Sequence, residues 1–473
     1  MTEAPPSAEK KSWDPVIPAA YLLPFCLVTT LFALWGFAND VTNPLVRAFK
    51  EIFLISNKQS SLVQTAFYGG YATMALPAAI FIRRYSYKAG ILVGLGLYAC
   101  GALLFIPASV LMNFWLFLIA LYVLTFGLAF LETTANPYIL AMGPASTATR
   151  RLNFAQAFNP IGSLIGMLVA SNIVLASLNV NEFRDAQMQA HPEYKQMLPG
   201  EIDAKIDTAL RDLQQTDPAA HQAMQLEDLR TVRGPYVTIA VVVLVMLVVF
   251  AVTKLPKTGG EDRHVHLLVT FGRLLRNGRY LGGVVAQTFY VGAQIMCWTF
   301  IIHYAMSNLG MSLPEAQRYN IVAMIIFCSS RFLCTYMLKY VSPGGLLMTL
   351  ALGGIGLTAG TIFLSGMAGL YCLIGVSACM SLMFPTIYGI ALDGLGEDAK
   401  VGSAGLIFAI VGGALMPPLQ GSIIDLGDSA GNMSLGFLTL PAVSASFVLP
   451  LICFVVIALY GCGTHLTRSG PAK

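Results

Sequence analysis

The stretch that decides the fold is Val237–Val252, which reads VTIAVVVLVMLVVFAV. One residue of these sixteen, Thr238, is polar. A helix of roughly 20 mostly apolar residues crosses the ~30 Å hydrocarbon core of a bilayer. Only helices and closed barrels satisfy every backbone group there, and this run lacks the alternation of barrel strands. The stretch therefore predicts a transmembrane helix.

Similar apolar runs recur along the whole chain of 473 residues, of which 56% are hydrophobic and 11% are charged. Soluble domains carry about 25% charged residues, so this composition excludes an ordinary soluble protein. The predicted fold class is an all-α membrane protein with two six-helix halves. The twelve predicted spans are 20–46, 59–83, 89–110, 113–142, 152–178, 235–254, 280–306, 317–341, 344–366, 368–393, 402–425 and 437–462.

Positive charges divide the chain and orient it. Arg83, Arg84 and Lys88 follow the second predicted span, whereas the loops at 111–113 and 367 carry no Lys or Arg. Because short cytoplasmic loops are enriched in Lys and Arg, both termini are predicted inside. The predicted organisation is a cytoplasmic tail (1–19), an N-terminal half (20–254), a cytoplasmic linker (255–279), a C-terminal half (280–462) and a cytoplasmic tail (463–473).

A polar insert at 179–234 interrupts the first half on the predicted outer side. Its residues Ile202, Ile206, Leu210 and Leu213 share one helical face, which predicts a surface helix over the outer mouth. The alternative, a solvated elaboration with no part in transport, is the favoured interpretation.

Other function classes lack support in the residues. We find no basic stripe interleaved with aromatic residues, so no nucleic-acid partner is expected. The nine cysteines lie in apolar stretches without metal-ligand or disulfide spacing, and we read them as packing residues. No nucleophile–base set or cofactor motif is apparent, so we expect neither an enzyme nor a bound cofactor or metal.

Polar side chains inside the predicted spans are the functional candidates, because each is costly to place in lipid. Helices 5 and 7 carry amide stripes that include Asn153 and Gln287. Single amides also serve as interhelical hydrogen-bonding groups, which is the structural alternative for each. Together, amides and aromatic rings suit a neutral polyol. The predicted solute-binding residues are Trp35, Asn39, Asn43, Asn136, Gln156, Asn159, Tyr290, Gln294 and Trp298.

Two carboxylates are predicted to couple transport to an ion. Asp40 lies ~9 Å to the outer side of the centre of its span and Glu132 ~7 Å to the inner side, at ~1.5 Å per residue. A carboxyl group held away from water favours its uncharged form and can release its proton when exposed. Proton or cation occupancy of these groups would then permit the change between outward and inward access.

Three further ionisable residues are less specific. Arg331 suits a pair with a carboxylate at the interface of the halves, but Lys339 nearby favours a structural residue that reaches the membrane surface. His303 is predicted at a span boundary, and Asp393 carries no particular assignment.

Several motifs together resemble one known family. FALWGFAND (32–40), QTAFYGGY (64–71), LETTANPY (131–138), RRLNFAQAFNPIGS (150–163), YVGAQIMCW (290–298) and FPTIYGIALDGLG (384–396) are similar to the fucose–galactose–glucose symporter family, and above all to bacterial L-fucose–proton symporters. The resemblance covers nearly the whole chain except the insert. It implies the major facilitator fold with two pseudo-repeats, sugar–proton symport centred on Asp40 and Glu132, and a sugar cavity lined by Gln156 and Asn159. It also implies residence in the bacterial inner membrane, and we expect a monomer.

The chain departs from that family's pattern at two places. The fucose symporters have Asn-Asn-x-x-Asp after the helix 1 tryptophan, whereas here acid and amide are exchanged at Asp40 and Asn43. Phe384 stands where the family has a tyrosine. These differences leave open a sodium-coupled glucose/galactose carrier, and a non-transporting sugar sensor is the alternative from another class.

Overall fold

The computed structural model describes residues 14–42, 45–56, 59, 62–196, 199–256, 267–311, 313–427, 432–435 and 438–469. Within these ranges, twelve helical segments are long and apolar enough to cross a membrane, which confirms the predicted fold class. We call them spans 1 to 12: Ala19–Thr42, Leu62–Arg84, Tyr87–Val110, Phe114–Ala141, Ala145–Ser177, Pro218–Val252, Gly278–Leu309, Glu315–Met337, Pro343–Phe363, Met367–Leu392, Gly396–Ile424 and Ala442–Leu466.

Several spans consist of consecutive helices. Span 3 contains Tyr87–Leu103 and Phe105–Val110; span 5 contains Ala148–Gln156, Asn159–Val169, the π-helix Ala170–Val174 and the 3-10 turn Leu175–Ser177. Span 10 contains Met367–Met380 and Met383–Leu392; span 11 contains Ala399–Phe408, Ala409–Val411 and Gly412–Ile424; span 12 contains Ala442–Ser446 and Val448–Ser469. Spans 5 and 10 are therefore broken near their middles, after Gln156 and after Met380.

Shorter elements connect the spans. Among the described residues, the α-helices outside them are Leu45–Phe53, Asn179–Ala190, Pro199–Thr216 and Leu267–Arg276. A hairpin of two antiparallel strands, Asn432–Leu435 and Leu438–Pro441, precedes span 12.

Several boundaries differ from the sequence-based prediction, and two of them involve proline. Span 12 was predicted from residue 437, but strand residues extend to Pro441 and the helix begins at Ala442. Pro441 lacks an N–H and has a fixed φ, which suits the position just before a helix. Span 6 was predicted from Pro235, but the helix begins at Pro218 and runs through that proline. Interior prolines are tolerated in membrane helices because neighbouring groups satisfy the freed carbonyls.

The two halves repeat the same helix neighbours. Span 1 packs on span 5, span 2 on span 4, and span 3 on spans 4 and 6. In the second half span 7 packs on span 11, span 8 on span 10, and span 9 on spans 10 and 12. Adding six to each number of the first set gives the second, so the halves are structural repeats.

Glycine allows the closest of these approaches. A Cβ on Gly162 of span 5 would lie 1.9 Å from the Ala33 carbonyl oxygen of span 1, and one on Gly36 would lie 2.1 Å from the Asn159 carbonyl oxygen. In the second half, a Cβ on Gly412 would lie 2.1 Å from the Thr288 carbonyl oxygen. Small residues at such crossings let membrane helices pack backbone to backbone.

The halves meet most closely on the side where span 1 begins and span 12 ends, which we call the terminal side. Arg83 at the end of span 2 lies 3.5 Å from the carboxylate of Asp398, at the start of span 11, and donates to Thr270 at 2.8 Å. The helix Leu267–Arg276 connects the two halves, and we call it the connecting helix. Its Arg273 also donates to Asp398, at 2.7 and 2.8 Å. These bonds join both halves and the connecting helix between them.

The insert folds against the first half on the opposite side. Two of its predicted apolar residues, Ile206 and Leu210, are buried within the helix Pro199–Thr216. Arg184 lies 3.1 Å from Glu51 of the short helix that follows span 1. The Asp228 carboxylate accepts from the backbone N–H groups of Asn179 and Val180 at 2.6 and 3.0 Å. The predicted helix is therefore present and packs through Ile206 and Leu210, and its position over the outer mouth stays a prediction.

Replacing Gly162 with alanine should destabilise the crossing of spans 1 and 5. The added methyl group cannot fit beside the Ala33 carbonyl, and overpacking of this kind costs about 1–3 kcal/mol. We expect the apparent unfolding temperature of the detergent-purified protein to fall by several degrees, as measured by heat challenge followed by size-exclusion chromatography. Gly356→Ala is the matched control, because an added Cβ there meets no atom within 4 Å. Equal unfolding temperatures for the two variants would contradict the assigned crossing.

Candidate functional site

A cavity lies between the two halves, and the empty space in it, including the part that is open to solvent, is about 810 Å³. Spans 1, 2, 4 and 5 form one wall and spans 7, 8, 10 and 11 form the other. Asn39, Gln294 and Trp298 are partly exposed, whereas Glu132 and Arg331, which lie deeper, are buried. The cavity thus opens away from the terminal side, where the halves are joined.

Nine of the eleven residues predicted from the sequence lie in the lining of this cavity. They are Trp35, Asn39, Asp40, Glu132, Gln156, Asn159, Tyr290, Gln294 and Trp298. Asn136 differs: it is fully buried behind Gln156, and its Oδ1 accepts from Gln156 Nε2 at 2.7 Å. Asn136 therefore supports a lining residue and does not reach the cavity surface. Asn43 lies outside the described residues.

The crossing of spans 1 and 5 positions the first wall. Asn159 Nδ2 donates to the Phe32 carbonyl oxygen at 3.2 Å, and Ser163 donates to the Gly36 carbonyl oxygen at 3.4 Å. These bonds depend on the close approach that the glycines allow. They fix the rotation of span 5 so that Gln156 and Asn159 are presented to the cavity together with Trp35 and Asn39 of span 1.

Aromatic residues of spans 7, 8 and 10 shape the second wall. The Tyr290 hydroxyl donates to the Met380 carbonyl oxygen at 3.2 Å, next to the break in span 10. Trp298 Nε1 donates to Ser377 at 3.3 Å, and its ring meets Phe327 edge to face at 4.9 Å. Phe384 completes this wall 6.2 Å from the Tyr290 ring. The wall thus offers flat apolar faces, and Gln294 adds an amide to it.

Glu132 is the buried acid of the cavity. Its side chain is 1% exposed, and neither carboxyl oxygen has a hydrogen-bond partner among the described residues. A buried charge without partners carries a large desolvation cost, so the neutral acid is the form that this environment accepts. Asp40 lies nearer the open side and is partly exposed. The cavity therefore holds two acids with different access to water.

Arg331 is the buried cation of the cavity, which corrects the expectation that it reaches the membrane surface. It is 3% exposed, and its guanidinium lies 4.6 Å from the centre of the Phe327 ring. Nε donates to the Ser381 carbonyl oxygen, and Nη1 donates to the Gln156 carbonyl oxygen at 3.0 Å. Both acceptors lie at helix breaks, where carbonyl groups lack helical partners and attract positive charge. Arg331 thus bridges the two halves at the cavity floor.

Sequence reasoning missed other lining residues. Phe67, Tyr68 and Tyr71 of span 2 and Met324 and Phe327 of span 8 also face the cavity. The span 2 residues belong to the QTAFYGGY motif that carries the family resemblance, which was a usable signal. The span 8 residues are apolar in an apolar helix, so nothing in the sequence separates them from lipid-facing neighbours.

His303 and Asp393 lie outside the cavity. The His303 side chain is exposed on span 7, and its position at the membrane boundary stays a prediction. The Asp393 carboxylate accepts from Arg279 at 2.8 Å on the terminal side. Both residues therefore take part in the surface structure of the bundle.

Replacing Arg331 with lysine should loosen both helix breaks. An ammonium group keeps the charge but lacks the planar fork that reaches two separate carbonyls. We expect backbone amides near Gln156 and Ser381 to exchange with deuterium several times faster than in the wild type, as measured by mass spectrometry. Arg276→Lys is the control, because Arg276 is exposed on the connecting helix. Unchanged exchange at both breaks would rule out the bridging assignment.

Comparisons with known proteins agree with this architecture. Residues 26–182 match the sequence profile of the Major Facilitator Superfamily. The chain is 51% identical to an L-fucose-proton symporter of Haemophilus influenzae over 94% of its own length and 97% of that protein. It is 30% identical to a glucose/galactose transporter of Brucella abortus, covering 92% of each chain. The crystal structure of the transporter FucP in the outward conformation superposes with a TM-score of 0.78 at 31% identity, over 94% of this chain and 99% of that one.

Identity at this level over nearly the whole length, together with two six-helix repeats around a central cavity, confirms the resemblance that the sequence motifs carry. The chain belongs to the fucose–galactose–glucose symporter family of the major facilitator superfamily.

Proposed function

We propose that this protein is a secondary active transporter that imports L-fucose or a closely related hexose together with a proton. One observation carries the proposal. A buried carboxyl group with two unpartnered oxygens, that of Glu132, lines the same cavity as a set of amides and aromatic rings. The proposal agrees with the relatives of this chain, which include a 51% identical protein named L-fucose-proton symporter.

The lining of the cavity suits a sugar in its chemistry. Asn39, Gln156, Asn159 and Gln294 each offer an amide that both donates and accepts, as vicinal hydroxyl groups require. Trp298 and neighbouring rings offer the flat apolar surface that packs on the C–H face of a pyranose.

The two acids supply a proton-coupling mechanism. Asp40, near the open side, exchanges protons with the outer solution, and Glu132 takes up a proton when the cavity fills from that side. Loss of the Glu132 proton leaves a charge in the cavity that Arg331 lines, and this changes the electrostatic balance at the floor where the halves meet. Transport then follows from alternation between the two protonation states.

The proposed setting is the bacterial inner membrane with both termini in the cytoplasm. The terminal side carries Arg83, Arg84, Lys88, Arg273 and Arg276, which the positive-inside rule assigns to the cytoplasm. In this orientation the cavity opens to the outside, and the insert lies on the outer face.

A sodium-coupled glucose or galactose carrier is the second candidate. The Brucella abortus relative is named a glucose/galactose transporter, and Phe384 and the exchanged Asp40 and Asn43 are departures from the fucose symporter pattern. Because Phe384 lacks the hydroxyl of the family's tyrosine, this cavity should discriminate among sugars differently from a site that has that hydroxyl.

Replacing Glu132 with glutamine should separate exchange from accumulation. Glutamine resembles the protonated acid in shape and charge but cannot release a proton. We expect gradient-driven uptake into proteoliposomes to be abolished, with counterflow exchange of labelled sugar retained at least in part. Glu227→Gln is the control, because Glu227 is exposed and pairs with Arg230 on the insert side. Full accumulation by the Glu132→Gln variant would exclude the assigned role.

Substrate and coupling ion are separable in one uptake assay. Proteoliposomes receive labelled L-fucose, D-galactose or D-glucose under a pH gradient alone or a sodium gradient alone. We expect L-fucose uptake driven by the pH gradient and indifferent to replacement of sodium by choline. Uptake that requires sodium favours the second candidate, and sugar binding without uptake under either gradient favours a sensor.

A further inference from the structure

A second cavity, which we call the terminal crevice, lies on the terminal side between the halves. The empty space in it, including the part that is open to solvent, is about 890 Å³. Pro137 and Leu140 of span 4, Thr149 of span 5 and Gly389 of span 10 are among its lining residues. These spans also line the central cavity, so the two spaces are stacked along the same helices.

The layer between the two cavities is thin. On span 4, Glu132 lines the central cavity and Pro137 lines the crevice. On span 10, Phe384 and Gly389 have the same relation. Each pair is five residues apart, which is about 7.5 Å along a helix.

This layer is polar, and many of its polar atoms lack partners. Asn136 Nδ2, Asn153 Oδ1, both amide atoms of Gln287 and the hydroxyl groups of Thr133 and Tyr388 have no hydrogen-bond partner among the described residues. All five side chains are 0% exposed. We call these five residues the polar seam.

Helix packing places four of the five seam residues, all but Thr133, at one level. Gly283 of span 7 packs on Ala391, and Tyr290 packs near Phe384, so Gln287 lies at the level of Tyr388 on span 10. Asn153 of span 5 donates to Thr386 at 3.1 Å, which fixes it at the same level. Asn136 is one helical turn beyond Glu132 on span 4. The Tyr388 hydroxyl lies near the Ser403 side chain of span 11 and within range of an electrostatic interaction with Glu132.

Burying so many polar atoms without partners is unfavourable if this layer only separates the two cavities. Buried polar groups without protein partners are normally satisfied by water, and an apolar layer would close the barrier at less cost. The titratable groups around Glu132 are Tyr71 from span 2 and Tyr388 from span 10, with Asp40 and Arg331 lining the same cavity. Of these, Tyr388 is the one on the terminal side of Glu132.

We propose that the polar seam is the route by which the Glu132 proton leaves for the terminal crevice. This inference rests on the proposed symport and adds the exit path to it. The O–H bond of Glu132 breaks, the proton passes to a water molecule held by the seam, and it reaches the crevice as hydronium. The carboxylate stays behind, and Tyr388 orders the water through its hydroxyl without ionising.

The contact between the halves controls this route. The Asn153–Thr386 bond crosses from one half to the other within the seam. Thr149 and Gly389 meet just below it, where a Cβ on the glycine would lie 2.8 Å from the Thr149 hydroxyl oxygen. While these contacts hold, the seam is narrow. Separation of the halves on the terminal side breaks them and admits a continuous file of water.

Tyr388→Phe tests the route, because it removes one hydroxyl oxygen from the seam and keeps the ring. Tyr280→Phe is the matched control, since the Tyr280 hydroxyl is buried nearby but donates to the Gly402 carbonyl oxygen at 2.9 Å. The experiment uses the full chain in proteoliposomes with a fluorescent pH indicator on the side of the terminal crevice. An L-fucose gradient drives proton movement, and counterflow of labelled L-fucose is measured in parallel, each in H₂O and D₂O.

For Tyr388→Phe we expect sugar-driven proton movement to slow by about fivefold or more and its solvent isotope effect to rise, because proton transfer becomes limiting. Counterflow should remain near the wild-type rate. The same rates and isotope effects for Tyr388→Phe and Tyr280→Phe would overturn the inference. If Tyr388→Phe also loses counterflow, Thr133→Val decides: selective slowing of proton movement supports the route, and wild-type behaviour overturns it. Absence of sugar-driven proton movement in the wild type would instead refute the proposed symport.

Discussion

A guanidinium group in the middle of a membrane bundle must find acceptors for its donors, and Arg331 finds them at two broken helices. The breaks at Gln156 and Ser381 free carbonyl groups that no helix satisfies, and the cation satisfies both. One acceptor belongs to each half of the protein. Arg331 therefore satisfies the free carbonyl groups of two helix ends at the floor of the cavity, and the same bonds offset the desolvation of its own charge.

The cavity above that floor combines one buried cation with two acids of unequal exposure. Glu132 has no partner for its oxygens, whereas Arg331 is occupied by backbone carbonyls. The cation is thus held by one bond within its own half and one bond that crosses to the other half. In the proposed transport cycle, movement of the halves changes the partners of the cation, and the charge of the acid changes the free energy of that movement. Protonation and conformation are then linked through shared electrostatics.

Polar residues within apolar runs made much of this site predictable. Asp40, Glu132 and the amides of spans 1 and 5 stand out from their surroundings, and a helical period puts them on common faces. Arg331 was misjudged because Lys339, eight residues away, indicated a membrane surface, while the helix breaks that hold Arg331 come from spans distant in sequence. Asn136 was assigned to the cavity because it lies one turn from Glu132, but Gln156 of another helix covers it. Such tertiary relations leave no trace in local sequence patterns, and neither do the lining residues Met324 and Phe327.

The insert is attached to the N-terminal half, so its position reports the motion of that half. Its bonds reach the short helix after span 1: Arg184 pairs with Glu51, Lys50 lies 3.5 Å from Asp207, and Gln225 donates to the Ile52 carbonyl oxygen at 3.0 Å. These contacts hold the insert rigidly against the N-terminal half. A spectroscopic label or an antibody fragment on its exposed face would travel with that half as a lever arm, magnifying a small rotation into a displacement large enough to follow in single molecules.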